Sequence, residues 1–88
     1  MASYSVFIVP VAEKQIAHLQ KREIGRVVAA IRALADDPRP HGCEKLSSLE
    51  KYRIRVGDFR VVYTIDDAIV RVVVVRVGHR RDVYRGRS

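Results

Sequence analysis

The sequence predicts an α+β domain in which an N-terminal strand and a helical pair precede a mainly antiparallel sheet of about four strands. Three observations carry this. Apolar residues recur at helical spacing between residues 24 and 35, apolar and charged residues alternate from residue 52, and residues 69–77, IVRVVVVRV, are nearly continuous valine. The first pattern is one face of a helix and the second a half-buried strand.

Taken in order, residues 4–9 (YSVFIV) are β-branched and aromatic, which predicts the first strand. Pro10 suits the opening turn of a helix, where a missing N–H costs nothing. Val11 or Ala12, Ile16 and Leu19 define a first amphipathic helix ending near Lys21. A second is clearer: Ile24, Val27, Val28, Ile31, Leu34 and Ala35 share one face while Arg26 and Arg32 lie off it, and Asp36, Asp37 and Pro38 stop it. The PRPHGC loop at 38–43 turns the chain from helix to sheet. A short strand is expected at 45–49, followed by strands at 52–56, 59–65 and 69–77. The last is expected to be central and covered on both faces. A polar segment, GHRRDVYRGRS, closes the chain.

With 88 residues, 48% of them hydrophobic, residues 1–88 form a single domain with a modest core. Cys43 is the only cysteine, which excludes an internal disulfide and a cysteine-based zinc site and fits a reducing cytosol. The apolar run SVFIVPV is short, lacks a basic leader and is broken by Pro10, so no targeting segment is expected. No apolar stretch is long enough to span a bilayer, and a soluble cytoplasmic protein is expected. Neither phosphate-binding glycine loops nor HExxH occur, and His18, His41 and His79 lie far apart in sequence, so no metal or cofactor is expected. Asp66-Asp67 reads as a turn between strands.

Net charge is +7 and is unevenly placed. Residues 1–50 hold seven Lys+Arg and six Asp+Glu, whereas residues 51–88 hold ten and four. That asymmetry points to a polyanionic partner, nucleic acid before acidic protein. Thirteen of the seventeen basic residues are arginine, whose planar fork suits bidentate phosphate contact.

The arginines concentrate in YRIRVGDFR at 52–60, where Tyr52, Ile54 and Val56 alternate with Arg53 and Arg55. The next strand repeats the scheme with Phe59, Val61 and Tyr63 inward and Arg60 outward. A two-residue Gly57-Asp58 turn sets Arg55 directly opposite Arg60. Like charges so placed destabilise a sheet, and no acid within either strand relieves them. A phosphate, or charge developing on one, between the two forks would account for the arrangement. The alternative is that both side chains splay into solvent or reach Asp58, Asp66 or Asp67. In GHRRDVYR, Arg80, Arg81 and Arg85 accompany His79 and Tyr84, and the first residues of this cluster are expected to emerge near the hairpin. Arginine, tyrosine and a titratable group together suit metal-free RNA cleavage.

ALADDPRP, GCEKLSSL, YRIRVGDFRVVYTID and VRVGHRRDVYR, in this order and spacing, resemble the RelE-like toxins of toxin-antitoxin systems over almost the whole chain. The resemblance implies a ribosome-dependent endoribonuclease that cuts mRNA in the ribosomal A site. The 2′-hydroxyl attacks the adjacent phosphate without a metal, and translation stalls. It further implies a cognate antitoxin that wraps the basic surface in a hetero-oligomer. By position, the family's catalytic residues fall on Arg53, Arg55, Arg60, Arg80 and Tyr84. Arg81, Arg85 and Lys45 are further candidate RNA contacts, read from their own charge. The first pair is lysine in the best-known pattern. Arginine is a poor general base, which leaves His79 as candidate by elimination and Tyr84 second. Two other functions are considered: a ParE-like inhibitor of DNA gyrase, and an inactive module that binds ribosomes or nucleic acid.

Overall fold

The computed structural model describes residues 3–46 and 50–79. Strand β1 (Ser5–Ile8) leads directly into helix α1 (Pro10–Ala17), with Pro10 in its first turn. α1 ends before Lys21 because the His18 N–H is shared between the Lys14 and Gln15 carbonyls, which tightens the last turn. Lys21 instead opens α2 (Lys21–Ala33), whose start is fixed by the Gln20 N–H donating to Glu23 Oε1 at 3.1 Å. The sheet comprises β1, β2 (Glu44–Lys45), β3 (Lys51–Val56), β4 (Phe59–Asp66) and β5 (Arg71–His79).

The strand order is β1-β5-β4-β3-β2, antiparallel throughout except that β1 runs parallel to β5. The helical pair covers one face. Ala12 and Ile16 of α1 and Val27 and Ile31 of α2 pack on Val61, Tyr63, Val72 and Val74, all buried. Tyr63 is fully buried and donates its hydroxyl to the Pro38 carbonyl at 2.8 Å, which ties the loop after α2 to the central strand. Burial pushes its phenol pKa up. No helix among the described residues is long and apolar enough to cross a membrane.

The valine-rich strand departs from expectation. β5 lies beside the central strand β4 and, among the described residues, carries helices on one face only, with Val73 and Val75 half-buried on the strand. Val62 pairs with Arg76 and Tyr63 with Val74, so Val75 is an extra residue, a β-bulge. The bulge reverses the alternation: Val72 and Val74 enter the core before it, Val77 after it. Continuous valine supplies an apolar side chain in both phases, which explains the run without a second covering layer.

β5 also begins two residues later than expected. Asp66 Oδ1 accepts the Ala68 N–H at 3.1 Å and holds a turn, and Val70 follows at φ 54°, a costly conformation for a β-branched residue.

At this end of the sheet Arg39 gathers the neighbouring acids. Its guanidinium donates to Asp67 Oδ2 at 2.9 Å, Glu50 Oε1 at 3.2 Å and the Tyr52 hydroxyl at 3.1 Å, and lies 5.2 Å from the Tyr52 ring centroid. Tyr4 donates to Asp67 Oδ1 at 2.7 Å. The Arg39 hydrogen bond holds the Asp67 carboxyl below its ordinary pKa, and the Tyr52 hydroxyl does the same for Glu50.

Candidate nucleic-acid interface

The hairpin at the other end of β3 is built as the sequence predicts. Gly57 takes φ 60° and Asp58 does not have a positive φ, the pattern of a glycine-first two-residue turn. Val56 pairs with Phe59, Arg55 with Arg60 and Arg53 with Val62. Arg53, Arg55 and Arg60 therefore share the sheet face away from the helices.

They face away from the helices as alternation predicts, but their exposure is unequal, and of the two hairpin arginines only Arg55 lies open to solvent. Arg55 is exposed, the Arg53 side chain is 15% exposed, and Arg60 is 6% exposed, the one buried charged residue among those described. Arg60 lies between Arg55 and Gly78 in the register, and Gly78 places no side chain on that face.

An acid does reach this face, from outside the two hairpin strands. Glu44 of β2 stands directly opposite Arg53, and the two side chains form an ion pair. A relieving carboxylate thus comes from a third strand. Its signal in the sequence was weak, because a two-residue strand has no periodicity and the short strand was expected to start at Lys45.

The bulge at Val75 decides two further placements. Unbroken alternation from Val72 and Val74 would turn Arg76 toward the helices and His79 toward the arginines. Instead Arg76 pairs with Val62 on the arginine face, and His79 pairs with Phe59 on the helix face. The His79 and Phe59 rings meet edge-on with centroids 5.9 Å apart. His79 ends β5 beside the hairpin, as expected, yet it lines a cavity of about 370 Å³ with Gln15, His18 and Leu19 of the α1 region. The structure does not bring it together with Arg53, Arg55 and Arg60. Arg76, which the sequence did not single out, is placed on the arginine face by its register with Val62, although it also lines the His79 cavity.

Lys45 is also apart from that face: it pairs with Tyr52 in the register and its ammonium meets Glu50 at 3.2 Å. Arg80, Arg81, Tyr84 and Arg85 lie outside the described residues.

β2 pairs only with Tyr52 and Arg53, and beyond its end a cleft of about 450 Å³ opens along β3. Arg53, Arg55, Arg60, Glu44 and His41 line it, with Ala30 and Ala33 of α2. His41 is exposed on the loop before β2 and is the imidazole that shares a cleft with the hairpin arginines. Three guanidinium groups beside one carboxylate can receive a phosphate through charge-assisted hydrogen bonds. Among the described residues no three His, Cys, Asp or Glu side chains gather as metal ligands would.

Comparisons with known proteins agree with this architecture. The family described as the ParE toxin of the type II toxin-antitoxin system, parDE, matches residues 6–84. Toxin RelG of Mycobacterium tuberculosis is 33% identical over 84 residues, covering 93% of this chain and 97% of that protein. The solved toxin-antitoxin complex RelBE2 of the same organism contains a chain that is 29% identical, with a TM-score of 0.80 and coverage of 93% of this chain and 97% of that one. The archaeal RelE-RelB complex from Pyrococcus horikoshii contains one at 25% identity and a TM-score of 0.81, covering 98% of this chain and 99% of that one.

Proposed function

This chain belongs to the ParE toxin family of type II toxin-antitoxin systems, and from that premise we propose that it is a ribosome-dependent endoribonuclease cleaving mRNA in the ribosomal A site. The observation that carries the reading is the like-charge pair Arg55 and Arg60, one exposed and one buried, directly opposite each other on a face that also holds Arg53 and Arg76. A fold gains nothing from opposing two guanidinium groups. A phosphodiester between them gains two forks, and its transition state gains more as charge develops on the phosphoryl oxygens.

In the proposed reaction the 2′-hydroxyl oxygen attacks the adjacent phosphorus and gives up its proton. The bond from phosphorus to the 5′ oxygen breaks, and that oxygen takes up a proton, leaving a cyclic phosphate and a free 5′-hydroxyl. Arg53, Arg55 and Arg60 hold and neutralise the phosphate. Arg80 and Tyr84 complete the site, and Arg81 and Arg85 extend the contact with RNA. His41 moves the proton, because it shares the cleft with the arginines and His79 does not. An antitoxin protein is the cognate partner, as in the toxin-antitoxin complexes of the relatives, and the complex acts in the cytoplasm.

The test is primer extension on a defined message in a purified translation system. Cuts within A-site codons that require ribosomes support the reading. The family's ParE designation favours a second one, inhibition of DNA gyrase. Arrested supercoiling without ribosomes, and an intact message, would replace the first with the second. Ribosome binding without cuts would leave an inactive module. For the proton, His41→Ala is expected to lower cleavage by about a hundredfold or more while folded, and His79→Ala to leave it near wild type. The reverse pattern would return the role to His79.

A further inference from the structure

Resting on the reading of the arginine face as a phosphate site, we propose that Glu44 is an internal stand-in for the substrate phosphate: it occupies Arg53 in the free protein and is exchanged for a phosphodiester on binding. Glu44 and Arg53 face each other across β2 and β3 and form an ion pair. The partners differ in freedom. The Glu44 side chain is 60% exposed, whereas that of Arg53 is 15% exposed. The carboxylate can swing into water at little cost while the guanidinium stays against the sheet.

Among the described residues Glu44 is the one carboxylate lining the cleft, against Arg53, Arg55 and Arg60. In the free protein it offsets part of the mutual repulsion of those three cations. A phosphate reaching Arg53 Nη2 meets the amino group that Glu44 Oε1 now holds, and two anions side by side there repel each other. Exchange follows. A small anion that meets Arg53 alone gains little by displacing Glu44, whereas a strand whose phosphate also meets Arg55 and Arg60 gains the whole face. Glu44 thereby favours polyanions over single anions.

The experiment measures binding separately from chemistry. A fluorescently labelled single-stranded oligonucleotide lacking 2′-hydroxyls, which this reaction cannot cut, is titrated with the wild-type chain and with Glu44→Gln over a range of salt. Glu44→Gln is expected to tighten binding about three- to tenfold. Its plot of log affinity against log salt should keep the wild-type slope, because once Glu44 has left both chains make the same phosphate contacts. In an Arg53→Gln background the gain should vanish. Should Glu44→Gln not fold, Glu44→Asp, which withdraws the carboxylate by one methylene, is expected to tighten binding by less.

Unchanged or weaker binding by the folded variant overturns the exchange, as does a gain that persists without Arg53, and so does the absence of binding by both chains. The nuclease reading fails separately. No cuts by the wild-type chain in the translation system, with the Glu44→Gln gain retained, would remove the reaction and leave the exchange standing.

Discussion

The two ends of β3 each hold an arginine cluster, and they are built on opposite principles. At its start, Arg39 meets Asp67, Glu50 and the Tyr52 ring, and every charge in the group faces an opposite one. At the hairpin, Arg55 stands directly opposite Arg60, and Arg53 pairs with Glu44. The residue type is the same. What differs is the neighbour set: carboxylates surround Arg39, whereas the hairpin sets one guanidinium directly opposite another. On the reading proposed above, the first cluster serves stability and the second a phosphate.

That contrast is broken most severely at the hairpin. Replacing Arg55 or Arg60 with alanine should reduce cleavage by about two to three powers of ten, the size of a lost transition-state donor. Circular dichroism in parallel would show the domain folded. Arg39→Ala should do the opposite, lowering the thermal midpoint while cleavage stays within about twofold. A large loss of cleavage in folded Arg39→Ala would erase the distinction.

The Arg39 end also fixes an acid response. Asp67 and Glu50 have carboxyl pKa values lowered by folding, so the unfolded chain takes up protons first as pH falls. Their contribution is present above the ordinary carboxylate range and is lost as pH falls through the lowered values. Asp67→Asn should therefore be less stable near neutrality and should lose less on acidification, read from urea midpoints across pH. An acid limb identical to wild type would show that the pairing carries no linkage. The smallest effect is expected at the β4–β5 turn: Val70→Gly relieves a positive φ and should raise stability by about 1 kcal/mol without altering cleavage.

Much of this was legible because local patterns were strong. The apolar face of α2, the alternation of β3 and the Gly57-Asp58 turn each determine structure over a few residues, so the opposition of Arg55 and Arg60 follows from sequence alone. The misplacements have one main cause. A bulge within a run of valines leaves no trace in hydrophobicity, since both phases remain apolar, yet it moves Arg76 onto the arginine face and His79 off it. Glu44 escaped for another reason: its strand is two residues long and acquires its register only by pairing with β3. His41 sits in a loop, where no periodicity assigns a direction, and only the folded cleft associates it with the arginines.

The central claim, that the hairpin arginines serve a phosphate and the Arg39 cluster serves the fold, is tested most directly by one comparison. Cleavage rates of the wild-type chain, the Arg55→Ala/Arg60→Ala double variant and Arg39→Ala would be measured on ribosomes programmed with the same message, with thermal midpoints taken alongside. The account predicts at least a hundredfold loss in the folded double variant, as expected of removed transition-state donors, and near wild-type cleavage by a less stable Arg39→Ala. Undiminished cleavage by the folded double variant would contradict it.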